Sequence, residues 1–223
     1  MRMRRKPWTE PLIDACPFYV DAPSEHRGQW RACFPKAQPM WLEIGCGKGT
    51  FTVETAAAHP DQLFVAVERV ADCLLLAMEK GMRQELHNVV FVCDDAAQLG
   101  DMFAPGEVDR IYINFCDPWP RSNQKKRRLT HGNFLRQYRR VLRPAGQIHF
   151  KTDNDKLFAW SVEEIPQFGF SLSEVTTDLH ADGPVGVMTD YEAKFFAEGK
   201  NINRCVATME DWTEPAPEAD GAE

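Results

Sequence analysis

The sequence lacks a long apolar run. None of its 223 residues belong to a stretch that is both long enough and apolar enough to cross a bilayer. The arginine-rich start is not followed by an apolar segment or a cleavage signal. We therefore expect a cytoplasmic protein with no membrane partner. A hydrophobic share of 43% is compatible with one α/β domain that has a substantial core.

Paired cysteines are also missing. The seven cysteines form no CxxC pair, and the six histidines are scattered. This usage is typical of reduced core thiols, and it favours neither disulfides nor zinc ligands. The sequence therefore predicts a protein without a metal site.

Two segments each carry charge of only one sign. Residues 121–143 hold nine Lys and Arg but no Asp or Glu, and residues 210–223 hold six acids but no base. A block of cations repels itself unless a polyanion binds it, so phosphate is the expected partner of the first segment. The bases Arg2, Arg4, Arg5 and Lys6 are interpreted as a solubilising end, with a contribution to the same field as the alternative.

The apolar pattern predicts alternating strands and helices. Three strands over 38–44, 63–68 and 88–93 are separated by helical patterns over 49–59 and 70–84, which is βαβαβ organisation. A strand over 108–115, a helix capped by Thr130 and a strand over 147–151 follow. A helix over 156–165 precedes two β-like runs, 170–176 and 203–209, which a long loop separates and which we expect to pair antiparallel. The prediction is a Rossmann-like, mostly parallel sheet with an antiparallel C-terminal edge strand and helices on both faces.

Domain organisation follows from the same pattern. Residues 1–37 are interpreted as a basic extension with a lead-in helix, and residues 38–209 as a single domain. The acidic, proline-containing segment 210–223 is expected to be disordered.

A glycine-rich stretch, Glu43-Ile44-Gly45-Cys46-Gly47-Lys48-Gly49, stands at the end of the first predicted strand. Its glycines, Gly45 and Gly47 above all, let the backbone approach a ligand, although a tight strand-to-helix turn would also use them. A dinucleotide fingerprint needs Gly or Ala where this chain has Thr50, so a nicotinamide cofactor is disfavoured. The stretch resembles the first motif of class I S-adenosylmethionine-dependent methyltransferases, which implies that Glu43 helps to seat the cofactor.

Acids also end the next two predicted strands. Glu68 can accept hydrogen bonds from both ribose hydroxyls of a nucleoside, and Asp95, chosen over Asp94, stands where methyltransferases commonly bind the adenine amino group. A single strand-end acid is usually a solvated residue, but three consecutive strands ending in acid favour a ligand. S-adenosylmethionine is the cofactor that this arrangement predicts.

A rigid corner, Asn114-Phe115-Cys116-Asp117-Pro118-Trp119-Pro120, ends the strand over 108–115. Open α/β sheets bind ligands at that end of their strands. Each proline fixes its own φ and biases the preceding residue away from helix, so Asp117 and Trp119 are predicted to lie in an extended, preformed loop.

With these motifs in view, the chain resembles the tRNA (guanine-N7-)-methyltransferase family from about residue 40 to 209. The further motifs that carry the resemblance are Lys126-Arg127-Arg128-Leu129, Lys151-Thr152-Asp153-Asn154 and Thr189-Asp190-Tyr191-Glu192-Ala193-Lys194-Phe195. The resemblance implies methylation of the variable-loop guanosine at position 46 of tRNA by a monomer or homodimer. It implies a cofactor side formed by Glu43, Glu68, Asp95 and Asp117. It also implies contacts of Asp153 and of Thr189, Asp190, Tyr191 and Glu192 with the target nucleotide.

The sequence departs from the family pattern beside the corner. Arg121 stands where the family more often has lysine, and Ser122-Asn123-Gln124-Lys125 replaces a more basic, histidine-containing stretch. Arg and Lys present different donor geometries, so these departures concern the details of RNA contact. We assign contacts with the tRNA backbone to Arg121, Lys126, Arg127 and Arg128.

The implied chemistry needs few groups. Guanine N7 has a lone pair and no proton, so methyl transfer requires alignment and no general base. Carboxylates near the base would stabilise the positive charge that develops, a role that suits Asp117, Asp153 and Glu192. The alternative for these acids, and for Glu192 in particular, is partnership with nearby Lys151, Lys194 or Arg121. Trp119 and Tyr191 are candidates for stacking on an extruded base.

Two other functions stay open at this point. An enzyme that methylates an exocyclic amino group of guanine or adenine also uses an acid-proline-aromatic corner. In such enzymes a second proline usually follows the first, whereas this chain has Trp119 there. A non-catalytic RNA-binding module would use the same basic segment. Calorimetry of cofactor binding separates module from enzyme, and the identity of the methylated atom separates the two enzymes.

Overall fold

The computed structural model of the chain describes residues 9–34 and 39–213. The expectations for the amino-terminal bases, for Gln38 and for the acidic segment from Glu214 onward lie outside these described residues. Within them, every helix is too short or too polar to span a bilayer.

Seven strands form one sheet in the order β3-β2-β1-β4-β5-β7-β6. Their bounds are β1 Met40–Ile44, β2 Leu63–Val67, β3 Val89–Val92, β4 Val108–Asn114, β5 Leu142–Thr152, β6 Phe170–Thr176 and β7 Asn203–Met209. The pairs among β1 to β5 are parallel, whereas β7 runs antiparallel to both β5 and β6. The predicted sheet, including the antiparallel pairing of its last two strands, is confirmed.

Helices cover both faces of the sheet. They are α1 Thr9–Asp14, α2 Thr50–Ala58, α3 Ala71–Arg83, α4 Leu99–Met102, α5 Gly132–Val141, α6 Asp155–Glu164 and α7 Asp190–Ala197. Side chains alternate along a strand, so Phe64 and Ala66 of β2 pack in one core with α2 and α3. Leu63, Val65 and Val67 pack in the other core with α5 and α6.

The start of α5 differs from the prediction. His131 caps this helix, because its Nδ1 accepts from the N–H of Asn133 at 3.1 Å. Thr130 is wrong as the cap, since its hydroxyl is buried against that of Ser161 at 2.7 Å. Strand β5 begins at Leu142, directly after α5 and earlier than the predicted Gln147, with an irregular register to β4 over its first residues.

The segment between β6 and β7 holds a helix that the sequence pattern was not interpreted to contain. Helix α7 begins with a capping box: the side chain of Thr189 accepts from the N–H of Glu192, and the side chain of Glu192 accepts from the N–H of Thr189. The two bonds satisfy amide groups that a helix start otherwise leaves without partners. This box therefore fixes where the long connection becomes helical.

The amino-terminal residues pack onto the domain. Tyr19 forms a parallel bridge with Phe91 at the β3 edge of the sheet. Trp30 is fully buried, and its indole N–H donates to the carbonyl of Met102 at 2.8 Å. The predicted lead-in helix corresponds to α1, and the division at 37/38 and 209/210 stays a prediction.

Candidate active site

A cleft of about 610 Å³ lies at the carboxyl ends of β1, β2, β3 and β4. Its volume is in the range of small-molecule sites, and its position is the one at which open α/β sheets bind ligands. The sequence-predicted residues that line it are Gly45, Glu68, Asp95, Asp117, Lys126 and Arg127. Side chains from separate parts of the chain thus converge on one cavity.

The glycine loop between β1 and α2 forms one wall of the cleft. Gly45 and Gly47 have φ of +76° and +56°, and a Cβ on either would meet nothing within 4 Å. Since Gly45 lines the cleft, that open space is available to a ligand. Gly49 has a different requirement: a Cβ there would lie 2.4 Å from the Cβ of Ala77 on α3. Packing of α3 therefore demands this glycine.

Glu68 organises two loops around the cleft. One carboxylate oxygen accepts from the N–H of Gly47 at 3.0 Å, and the other accepts from the N–H of Val70 at 2.8 Å. Across the cleft floor, Asp95 accepts from the N–H of Ala97 at 2.9 Å. Both acids keep faces toward the cavity and stand at adjacent strand ends, which is an arrangement that fits the ribose and base of a nucleoside.

We expect Glu68→Ala to weaken binding of S-adenosylmethionine by about 1.5–3 kcal/mol, the typical value of charge-assisted hydrogen bonds. Isothermal titration calorimetry measures this change. The affinity for RNA should stay close to that of the wild type. Cofactor affinity that does not change in a folded variant would overturn the assignment of Glu68 to the ribose.

Glu43 lies behind the cleft. Its carboxylate is buried, accepts from the hydroxyl of Thr52 and accepts from the amide of Asn114 at 2.9 Å. Burial raises the pKa of Glu43, and the bonds from Thr52 and Asn114 oppose that rise. The carboxylate thus joins β1, α2 and β4 behind the glycine loop. Direct contact of Glu43 with the cofactor stays a prediction.

The corner after β4 has a strained backbone. Phe115 and Trp119 have φ of +53° and +41°, values that are unusual for residues with bulky side chains. Arg128 holds the corner in place, because its guanidinium donates to the carbonyls of Pro118 and Trp119, both at 3.1 Å. Asp117, with 69% of its side chain exposed, faces the cleft and lies 4.0 Å from Arg69.

The basic segment separates into structural and exposed parts. Arg128 is 7% exposed and packs over the ring of Trp160, which contradicts the expectation that it binds the tRNA backbone. Farther along, Arg139 donates to the carbonyls of Phe168 and Gly169, and Arg143 pairs with Asp109 at 2.6 Å. The exposed bases that follow the corner are Arg121, Lys125, Lys126 and Arg127, and Lys126 and Arg127 among them line the cleft. Lys125, Lys126 and Arg127 lie on a short 3-10 helix, Ser122–Arg127.

Asp153 and Thr189 to Glu192, which are expected at the target nucleotide, do not line the cleft: Asp153 follows β5, and the other four stand at the start of α7. This group is called the second wall below. Glu192 is 0% exposed, and its carboxylate binds Lys151 at 2.6 Å and His180 at 3.1 Å. The buried carboxylate of Glu192 is not open to guanine in this structure, and of its three alternative partners Lys151 is the one observed. Asp153 pairs with Lys200 while keeping partial exposure. Tyr191 is exposed at the start of α7.

The protonation of the Cys116 thiol limits the reactions that the cleft can catalyse. Burial, together with Asp117, raises the pKa of the Cys116 thiol to about 12, so this cysteine is protonated and is not a nucleophile. Among residues 9–34 and 39–213, no cluster of three or more His, Cys, Asp or Glu side chains could hold a metal ion.

Sequence reasoning missed several residues of the second wall. His180 and Lys200 were not singled out, yet they bind Glu192 and Asp153. Asn114 was noted only as part of the corner, whereas its amide fixes Glu43. The signal for Glu192 was present, because a Thr followed three residues later by Glu predicts a capping box.

The strand order, the open glycine loop and the acid-lined cleft define a class I S-adenosylmethionine-dependent methyltransferase. Solved structures agree on the fold. The 16S rRNA (adenine(1408)-N(1))-methyltransferase from Catenulisporales acidiphilia superposes with a TM-score of 0.60 at 15% identity, over 85% of this chain and 93% of that one. The 16S rRNA methyltransferase KamB gives a TM-score of 0.63 at 14% identity, over 82% of this chain and 94% of that one.

Sequence comparison gives the family. A family model described as a putative methyltransferase matches residues 37–205. A tRNA (guanine-N(7)-)-methyltransferase from Geobacillus kaustophilus is 46% identical over 93% of this chain and 96% of its own length. One from Staphylococcus carnosus is 42% identical over 93% of this chain and 99% of its own length. The chain belongs to the tRNA (guanine-N(7)-)-methyltransferase family.

Proposed function

We propose that this protein methylates N7 of the variable-loop guanosine at position 46 of tRNA. The observation that carries the proposal is the acidic cleft beside exposed bases: Glu68, Asp95 and Asp117 line a cavity whose mouth carries Lys126 and Arg127. The names of the relatives supply the substrate, and the cytoplasm is the compartment where the enzyme meets it. No metal takes part in the proposed reaction.

The reaction requires alignment above all. S-adenosylmethionine supplies a methyl group on a positively charged sulfur. The guanine nitrogen carries an in-plane lone pair and no proton, so the protein has no proton to remove and needs only to hold the nucleophile in line with the methyl carbon. Acids such as Glu68 and Asp95 fix the nucleoside end of the donor. The protonated Cys116 stays outside the chemistry.

Asp117 is the residue to which we assign catalysis. It lines the cleft together with Lys126 and Arg127, and its carboxylate is accessible. Methylation makes the purine positive, so a carboxylate at that position stabilises the charge as it develops. The same oxygens can accept hydrogen bonds from guanine N1–H and the exocyclic amine. Its ion pair with Arg69 is exposed and therefore weak enough to be exchanged for substrate.

The target base needs a platform outside the tRNA stack. Trp119 lines the cleft next to Asp117, and the guanidinium of Arg127 lies 4.9 Å from its ring centroid. Stacking on aromatic side chains is the usual way in which proteins hold unstacked RNA bases. We assign Trp119 to this role. Tyr191 is assigned to the second wall of the nucleotide site, where Asp153 keeps partial exposure.

Exposed Lys126 and Arg127 stand next to buried Arg128, and this allows a matched test of the proposed phosphate contacts. Replacing Lys126 and Arg127 with alanine should weaken tRNA binding and lower the log–log salt slope by roughly 0.7 for each lost phosphate contact. Arg128→Ala is the control, because Arg128 is buried and holds the corner. It should leave the slope unchanged and reduce stability by about 1.5–3 kcal/mol. A smaller slope in Arg128→Ala, with no change in the other variant, would contradict these assignments.

The methylated atom tests the proposed function. Purified protein is incubated with an unmodified tRNA transcript and S-adenosylmethionine carrying a labelled methyl group, and the digested nucleosides are separated by mass spectrometry. We expect the label in 7-methylguanosine. Label found only in N2-methylguanosine or N6-methyladenosine would identify an amino-directed enzyme instead. Cofactor binding without any transfer would indicate a binding module.

A further inference from the structure

The start of α2, directly after the glycine loop, and the start of α7 are joined by a direct contact. The hydroxyl of Thr50, the first residue of α2, donates to the carboxylate of Asp190 at 2.7 Å. Lys80 of α3 lies 3.5 Å from the other oxygen of the same carboxylate and also donates to the hydroxyl of Thr50. Asp190 is therefore engaged by groups on the cofactor side of the domain, although its segment was expected to face the target nucleotide.

A buried network holds Asp190 in that position. Glu192, two residues later, binds Lys151 at the end of β5 and also His180. The N–H of Val185 donates to Nδ1 of His180, so Nε2 carries the ring proton and donates to Glu192. The amine of Lys151 also donates to the carbonyl of Val187 at 3.3 Å. These bonds fix the backbone from 180 to 192 on the sheet.

The geometry of Tyr191 follows from the two neighbours. Asp190 is tied to α2 and α3, and Glu192 is tied to β5, so the residue between them has little freedom in its backbone. The side chain of Tyr191 is nevertheless exposed and packs beside the ring of Phe195. An exposed aromatic ring on an immobilised backbone is suited to receive a base in one orientation.

We propose that Asp190 is a positioning residue: its contact with Thr50 clamps the 180–192 segment to the cofactor loop, so that cofactor binding and tRNA binding reinforce each other. This inference rests on the proposed function for its substrate. The clamp joins the two walls of the site, and a ligand that orders one wall lowers the cost of ordering the other. By linkage, the reinforcement has the same size in both directions.

A double-mutant cycle between Thr50 and Asp190 tests the clamp. Thr50→Val and Asp190→Ala should each raise the KM for tRNA and the Kd for S-adenosylhomocysteine measured with tRNA present, by about fivefold. The double variant should be little worse than either single variant, because both changes remove the contact between Thr50 and Asp190. Thr50→Ser, which keeps the hydroxyl, should restore wild-type values. Asp182→Ala changes an exposed acid of the same segment and should have no effect.

One pattern of results would contradict the clamp. If Asp190→Ala raises the KM for tRNA, Thr50→Val does not, and cofactor affinity stays constant in both, Asp190 is a nucleotide contact and the clamp is wrong. A second readout does not need tRNA. S-adenosylhomocysteine should slow amide hydrogen exchange in α7 of the wild type, and this protection should be lost in Thr50→Val. Equal protection in both proteins would overturn the clamp, whereas a wild type that gains protection but makes no 7-methylguanosine would overturn the proposed function alone.

Discussion

Asp117→Ala is expected to lower kcat for tRNA methylation by a factor of roughly 10²–10³, the typical loss when one group that stabilises transition-state charge is removed. The carboxylate faces the cleft at the end of β4, and its ion-pair partner there is Arg69 at 4.0 Å. Because this pair is exposed, the carboxylate can exchange Arg69 for hydrogen bonds from guanine. The KM for tRNA should change little, because we assign the phosphate contacts to Lys126 and Arg127. Single-turnover kinetics with saturating cofactor measures the effect.

Asp117→Asn separates charge from shape. The amide keeps the size of the side chain and one acceptor oxygen but removes the negative charge, so it should retain tRNA binding and lose most of the rate. The melting temperature of both variants should stay near that of the wild type, since Asp117 is exposed. Near-normal turnover of Asp117→Ala would mean that the corner has a structural role only.

Glu192→Gln should be the most destabilising single substitution among the predicted site residues. It leaves Lys151, whose side chain is 10% exposed, without its closest counter-charge in the interior. Burial already lowers the pKa of Lys151, and Glu192 is the main group that opposes this shift. Breaking a buried pair by removing one partner typically costs about 3–5 kcal/mol. Urea unfolding measures the loss of unfolding free energy.

The matched control for Glu192→Gln is the double variant Lys151→Met with Glu192→Gln. Removing both charges leaves neither member of the pair buried without the other, so more than half of the lost stability should return. A loss below about 1 kcal/mol in the single variant, the usual size for an exposed pair, would contradict the buried network. Turnover in the double variant should be lower than in the wild type, because the 180–192 segment is then held by fewer bonds.

The sheet could be predicted because its signals are local. Runs such as Leu63–Val67 are buried on both faces, so they consist of apolar residues that no helix period explains. Strand-end acids follow these runs closely, so the pattern groups Glu68, Asp95 and Asp117, which all line the cleft. Their contacts with the cofactor and the substrate stay predictions. The glycine loop was identified for the same reason, although the demand on Gly49 comes from Ala77, a residue on another helix.

The second wall could not be predicted in the same way, because its contacts join distant parts of the chain. Nothing near Glu192 in the sequence indicates that Lys151 and His180 will enclose its carboxylate. Arg128 illustrates the same limit: within a run of cations it looks like a phosphate ligand, and only the fold brings it under Pro118 and over Trp160. The capping box at Thr189 was the local signal that would have revealed α7.

Methylation of N7 at one guanosine in the tRNA variable loop is tested most directly by treating the product tRNA with borohydride and aniline, which cleave RNA at 7-methylguanosine, and by locating the break on a sequencing gel. We expect one break at position 46, dependent on S-adenosylmethionine and lost when Asp117→Ala replaces the wild type. A methylated tRNA that is not cleaved, or that is cleaved elsewhere with equal yield in both proteins, would contradict it.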